Sequence, residues 1–205
     1  MTTESGAHWD SAYAQGDTTR SWFQDEPTES LRMFDGARVS TADSVIDLGG
    51  GTSRLVDALL QRGFEDISVL DVSTRALQVA QDRLGAAGDE VDWIVADLLA
   101  WRPSRTYGVW HDRAVFHFLT DEQSRKRYVE NLLSATQPTA VAVIGCFALD
   151  GPQSCSGLPV ARYDVAGLAG QFGDDWQLEA CSRQEHTTPT AAMQPFTWAQ
   201  FRRSR

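Results

Sequence analysis

A doubly wound α/β fold, a mostly parallel sheet with helices on both faces, is what this sequence predicts, and three observations carry the prediction. Short apolar runs alternate with stretches of helical periodicity between residues 44 and 147. Strands joined through helices must cross over the sheet and pair in parallel, which places helices on both faces. A run of bare backbone, Gly49-Gly50-Gly51, stands at the junction between the first strand and the helix after it. The carboxyl ends of the strands are where such sheets bind ligands.

The elements follow in order. After a polar, aromatic-containing head (residues 1–30), Leu31 and Phe34 belong to a first core-facing helix. Ser44–Leu48 reads as strand one, followed by the glycine turn and a helix in which Leu55, Val56, Leu59 and Leu60 share one face. Gly63 closes that helix. Ile67–Asp71 is strand two; Ser73 caps the next helix, whose buried stripe is Leu77, Ala80 and Leu84 and which Gly85 ends. Val91–Val95 and Val109–Asp112 are strands three and four. Thr120-Asp121-Glu122-Gln123 has the capping-box pattern and opens a helix presenting Tyr128, Val129, Leu132 and Leu133, expected to stop before Pro138. Ala140–Phe147 is almost wholly apolar, as a strand covered on both faces should be. The Gly/Pro/Ser segment Asp150–Pro159 reads as an irregular loop, and Asp164 as the cap of a short helix with Leu168 and Phe172. Trp176–Arg183 and Phe196–Phe201 alternate and read as two last, antiparallel strands.

Composition bounds the function. The chain has 205 residues, 42% of them hydrophobic and 22% charged, enough for a packed core and a length that suits one domain. A net charge of −10 counts against a nucleic-acid partner, because phosphate contacts need a basic surface. The longest apolar stretch, Thr139–Leu149, is roughly half a membrane span, and the acidic residues of the first ten are unlike a signal peptide. Cys146, Cys155 and Cys181 match neither a disulfide framework nor a zinc site. A soluble, cytoplasmic protein without a membrane partner is expected.

The strongest local signal is Asp47-Leu48-Gly49-Gly50-Gly51-Thr52-Ser53. Glycines permit a sharp turn and let a ligand approach bare backbone, and the helix behind it offers free N–H groups. Asp71 ends strand two at the roughly 20-residue spacing at which an acid accepts ribose hydroxyls. A phosphate-binding Walker loop is excluded because Gly51-Thr52-Ser53-Arg54 lacks its lysine, and the GxGxxG of a nicotinamide dehydrogenase is not matched. Asp47 would repel a pyrophosphate but suits a ligand with a cationic group.

On these residues the sequence resembles the class I S-adenosylmethionine-dependent methyltransferases of the small stand-alone kind, over residues 9–203. The family's acid-x-Gly-x-Gly-x-Gly motif is matched by Asp47, Gly49 and Gly51, with Ser53 in place of the last glycine. The resemblance implies a seven-stranded Rossmann-like sheet in one domain, residues 1–40 forming a lid or helical segment and residues 41–205 the catalytic core. It also implies S-adenosyl-L-methionine as cofactor. Gly49 and Gly51 would face its methionine part, Asp71 the ribose, and Val72 the adenine. Asp97 and the backbone of Leu98 would meet the adenine edge. Asp112, in Trp110-His111-Asp112-Arg113, stands where the family touches the methionine end, and His117 matches the first histidine of a His-His-Leu-like run.

Asp112, Arg113 and His117 are therefore the groups expected nearest the transferred methyl, with His117 the first candidate for a general base and Asp112 the second. Trp22 and Phe23 are expected to cover the cofactor, since aromatic faces attract a sulfonium and exclude water. Trp9 is expected to dock the head on the sheet edge, and Arg162 and Tyr163 to reach the acceptor. No metal is expected. The compact, acidic chain favours a small-molecule methyl acceptor; a protein lysine acceptor and a cofactor-binding module without transferase activity are the alternatives.

Overall fold

The computed structural model describes residues 2–14, 16 and 18–204; of the polar head, residues 1, 15 and 17 lie outside the described set. The elements in chain order are α1 (Thr2–Tyr13), α2 (Thr28–Gly36), β1 (Val45–Leu48), α3 (Leu55–Gln61), β2 (Ile67–Asp71), α4 (Thr74–Leu84) and β3 (Val91–Val95). They continue with β4 (Tyr107–Arg113), α5 (Glu122–Ala135), β5 (Thr136–Phe147), β6 (Ser154–Cys155), β7 (Leu158–Pro159), α6 (Val165–Ala169), β8 (Trp176–Thr187) and β9 (Met193–Arg203). Seven strands form one sheet in the order β3-β2-β1-β4-β5-β9-β8. The five strands β1–β5 pair in parallel, and β9 runs antiparallel to both β5 and β8. The order reverses between β1 and β4, which sets a crevice at their carboxyl ends.

Two apolar layers sandwich the sheet. Met33, Phe34, Leu55, Val56, Leu59 and Leu77 from α2, α3 and α4 cover one face, packing on Val45, Val69, Val109, Val143 and Trp198. Tyr128, Leu132, Leu168 and Phe172 cover the other, packing on Ile46, Leu70, Trp110, Ile144 and Phe201. Strand alternation, with its period of two, therefore assigns each residue of β1 and β4 to one layer or the other. Val45, Asp47, Val109, His111 and Arg113 look toward α2; Ile46, Leu48, Trp110 and Asp112 look toward α5.

The local signals that mark the helix ends act through their own side chains. Ser73 accepts from the Ala76 amide and Asp164 from the Gly167 amide; Gly63 and Gly85 take positive φ of 85° and 56° just past α3 and α4. Some expectations shift. Asp121 rather than Thr120 caps α5, its carboxylate accepting from the Ser124 amide. β5 starts at Thr136 and runs through Pro138, because its register against β4 slips between Tyr107 and Val109 and the proline falls in that irregularity. β9 does not alternate: Pro195 to Phe201 are all buried, since the strand lies between two others, while β8 at the edge is mostly exposed. The Asp150–Pro159 loop holds a tight hairpin, β6–β7, turned at Ser156 and Gly157, both at positive φ. Among the described residues no helix is long and apolar enough to cross a membrane.

Candidate active site

The crevice at the β1/β4 switch point opens into a cavity lined by Asp47, Gly49, Gly50, His111, Arg113 and Phe118 and roofed by Trp9, Tyr13, Trp22 and Phe23. Gly49 and Gly51 take φ of 58° and 48°, a region that L side chains avoid, and a Cβ on Gly50 would stand 2.5 Å from Val69 and 2.8 Å from Asp47. The turn is thus built from glycine for both conformation and space.

Asp47 and His111 are lateral neighbours in the parallel β1–β4 register, so their side chains emerge side by side. His111 Nδ1 lies 2.7 Å from Asp47 Oδ1, and His111 Nε2 lies 2.9 Å from Ser30 Oγ on α2. Where Nδ1–H donates to Asp47, Nε2 accepts the Ser30 hydroxyl. All three are nearly inaccessible. These bonds fix the carboxylate so that its other oxygen, Oδ2, is buried at the cavity without a hydrogen-bond partner among the described residues. A buried carboxylate oxygen left free in this way offers an acceptor to an ammonium group and a negative charge to a sulfonium.

Asp71 is also buried. Its Oδ1 accepts the Ser73 amide at 2.8 Å, yet burial, with Asp47 contributing, pushes its pKa up to about 7. Its other oxygen faces Gly51, and the Tyr13 hydroxyl of α1 stands over the same glycine, so tightly that a Cβ there would collide with it. α1 is held by Asp10, whose carboxylate accepts from Ser73 Oγ at 2.6 Å and from the Arg75 amide, and Gly6 lies against the Val72 carbonyl. Gly51, Asp71 and Val72 thus sit beneath α1. Asp97 is half-buried and accepts the Leu99 amide; Leu98 packs into the α5-side core while its carbonyl accepts from Asn131. Neither belongs to the cavity wall.

Two of the expected catalytic groups are elsewhere. Asp112 is fully buried on the α5 side, one residue out of phase with His111 and Arg113, and accepts from the Tyr128 hydroxyl at 2.7 Å and the Val115 and Phe116 amides. Burial raises its pKa to about 6. It organises the turn after β4 and does not reach the cavity. His117, on a 3-10 turn over Phe116–Phe118, is packed between the rings of Phe118 and Phe147, at centroid distances of 4.5 and 4.6 Å. Burial, reinforced by Arg113, drives its pKa down to about 3, so the ring is neutral at physiological pH and too weakly basic to take a proton. It is not part of the cavity wall, where Phe118 stands instead.

Arg113, in contrast, does reach the cavity, and its Nη1 donates to the Trp22 carbonyl at 2.8 Å. Trp22 meets Trp9 and Tyr13 edge-to-face at 5.8 and 5.9 Å, and Trp9 meets Phe118 at 5.4 Å. Trp9 is therefore a roof residue rather than a clasp on the sheet edge. Cys155 also lines the cavity, its thiol held up at about 11 by burial. His111 and Ser30 are absent from the expected set: His111 was legible only through the parity of β4, and nothing in the local sequence marks Ser30.

Residues 45–139 match the family described as a methyltransferase domain. Over 97% of this chain and 93% of the other, the fold matches a structure described under conversion of a disulfide bond into a thioacetal group during echinomycin biosynthesis, with a TM-score of 0.74 and 22% identity. The N-methyltransferase NodS from Bradyrhizobium japonicum WM9, in complex with S-adenosyl-L-homocysteine, matches over 98% and 100% of the two chains at TM-score 0.71 and 15% identity. Among curated relatives, EEF1A lysine methyltransferase 2 of Danio rerio is 24% identical over 67% of this chain and 66% of its own length, so the chain spans just under two thirds of it. The counterpart in Mus musculus is 23% identical over 80% and 78%. The match to a methyltransferase domain spans residues 45–139, and the whole chain shares the fold of the N-methyltransferase solved with S-adenosyl-L-homocysteine.

Proposed function

We propose that this chain is a class I S-adenosylmethionine-dependent methyltransferase that methylates a small-molecule acceptor held inside the roofed cavity at the β1/β4 crevice. The observation that carries this reading is the roof itself. Trp9, Tyr13, Trp22 and Phe23, all from the first 23 residues, line the cavity together with Asp47 and Arg113, which favours an acceptor of small size. Arg113 on the wall weighs the same way, because a buried guanidinium repels the ammonium of a lysine side chain. Protein lysine methylation is the second reading, favoured by the two EEF1A lysine methyltransferase 2 relatives.

The cofactor supplies a methyl group already activated on a sulfonium. Around it, Asp47 Oδ2 would hold the cationic methionine end, with Gly49 and Gly51 presenting bare backbone. Asp71 would accept the ribose hydroxyls and Val72 would flank the adenine, with Asp97 and the Leu98 backbone at its edge. Tyr13 and α1 cover that half of the site, so they must move aside when the nucleoside enters. The His111–Ser30 chain keeps Asp47 oriented. Aromatic faces exclude water, and positioning of the reactants is the enzyme's main contribution, worth on the order of 7–11 kcal/mol in favourable cases. With His117 neutral and away from the cavity and both His111 nitrogens engaged, the acceptor is expected to arrive with its lone pair free, as an ionised thiol or an unprotonated amine would.

Incubation with S-adenosylmethionine labelled in the methyl group, against the small-molecule and protein fractions of one cell extract, tests the reading. Label is expected in the small-molecule fraction; label only in protein would hand the function to the second reading. Trp22→Ala removes two edge-to-face contacts of about 0.5–1.5 kcal/mol each, so S-adenosylhomocysteine should leave roughly fivefold faster in stopped-flow displacement. An unchanged release rate would return Trp22 to a packing role.

A further inference from the structure

Arg113 carries an unused recognition edge. Its Nη1 is committed to the Trp22 carbonyl, but Nε and Nη2 are shut off from solvent and have no hydrogen-bond partner among the described residues. Those two nitrogens share one side of the planar guanidinium, and their parallel N–H bonds match the two oxygens of a carboxylate. The chain contains 28 aspartates and glutamates, yet among the described residues none forms an ion pair with this cation. Burial lowers its pKa only to about 10, so it stays charged at neutral pH. A buried charge without a bonded counter-ion is costly; Asp47 favours this one only through space, and the bonded position at the cavity wall is left to a ligand.

The direction of the side chain separates this edge from the cofactor's place. Arg113 pairs with Gly145 of β5, and its guanidinium lies 5.1 Å from the ring centre of Phe196 on β9. It thus reaches across β5 toward β9, with Asp47 of β1 near enough to act on its charge. Cys155 of the β6–β7 hairpin lines the same cavity.

We propose that the free Nε/Nη2 edge of Arg113 binds a carboxylate on the methyl acceptor, which makes small carboxylate-bearing molecules the acceptor class. The proposal rests on the small-molecule reading above. Benzoate is the probe, its ring suited to Trp22 and Phe118, and neutral benzamide is the control. Each is titrated into isotope-labelled protein saturated with S-adenosylhomocysteine, and the Arg113 Nε–H resonance is followed by NMR. Benzoate should shift it saturably and benzamide should not. Arg113→Lys, which keeps the charge but loses the fork, should weaken benzoate by about tenfold or more.

Absence of a saturable benzoate shift overturns the proposal. So does competition between benzoate and S-adenosylhomocysteine in the wild-type protein, for the edge would then hold the cofactor's own carboxylate. If the variant does not fold, the wild-type titration decides. The two readings fail separately: label confined to protein removes the small-molecule reading, whereas the Nε–H response reports on the Arg113 edge regardless of that result.

Discussion

Asp112→Ala is expected to lower the melting temperature by roughly 6–12 °C, about 3 kcal/mol of stability, and to leave the affinity of the folded protein for S-adenosylhomocysteine unchanged. The substitution strands three donors, the Tyr128 hydroxyl and the amides of Val115 and Phe116, in a region closed to water. Tyr128 in turn accepts from the Trp110 indole at 2.8 Å, so the loss extends to the largest buried side chain of β4. Relief of the carboxylate's own burial, visible in its raised pKa of about 6, offsets part of the loss. Asp112→Asn keeps an acceptor oxygen and should lose less. Denaturation of both variants, with calorimetric titration of the folded fraction, checks the result. A tenfold loss of cofactor affinity at undiminished stability would put Asp112 back in the binding site.

Asp71→Ala should weaken S-adenosylhomocysteine binding by tenfold or more, through hydrogen bonds to a charged group of about 1.5–3 kcal/mol. Its pH dependence is the sharper signature. In the ligand-free fold the pKa stands at about 7 because the carboxyl is buried, so the protonated form predominates below that pH. A ligand that donates two hydroxyls to Asp71 needs the ionised form. Affinity should therefore be full above pH 7 and fall by up to about tenfold per pH unit below it, with proton uptake into the buffer on binding. For stability the sign is opposite. A raised folded-state pKa favours the native state fully below the unfolded value, and that contribution is lost as pH rises through about 7. Asp71→Asn should flatten both trends; titrations in two buffers of different ionisation enthalpy would show it, and a binding profile that stays flat in the wild type would remove Asp71 from the ribose site.

Much of the architecture is written locally. The strand cores at Val45–Leu48, Ile67–Asp71 and Val91–Val95, the Ser73 and Asp164 caps and the Gly63 and Gly85 stops follow from periodicity and turn chemistry within a few residues. The glycine turn between β1 and α3 was equally legible, because the chain there needs positive φ and room that only glycine provides. Burial along β9 was not, because what covers a strand depends on which strands flank it.

By itself, then, the sequence determined the alternation of strands and helices, the acid-and-glycine turn and the class of cofactor these imply. The tertiary structure alone decided which side chains share the cavity. In a strand a shift of one residue sends a side chain to the opposite face, so His111 and Arg113 meet Asp47 and Trp22 while Asp112 turns away to Tyr128. The pairing of His111 with Ser30 and the descent of Trp9 and Tyr13 over the glycine turn join residues far apart in the chain. Contacts of that kind arise from packing between elements and leave no mark in any local stretch of sequence.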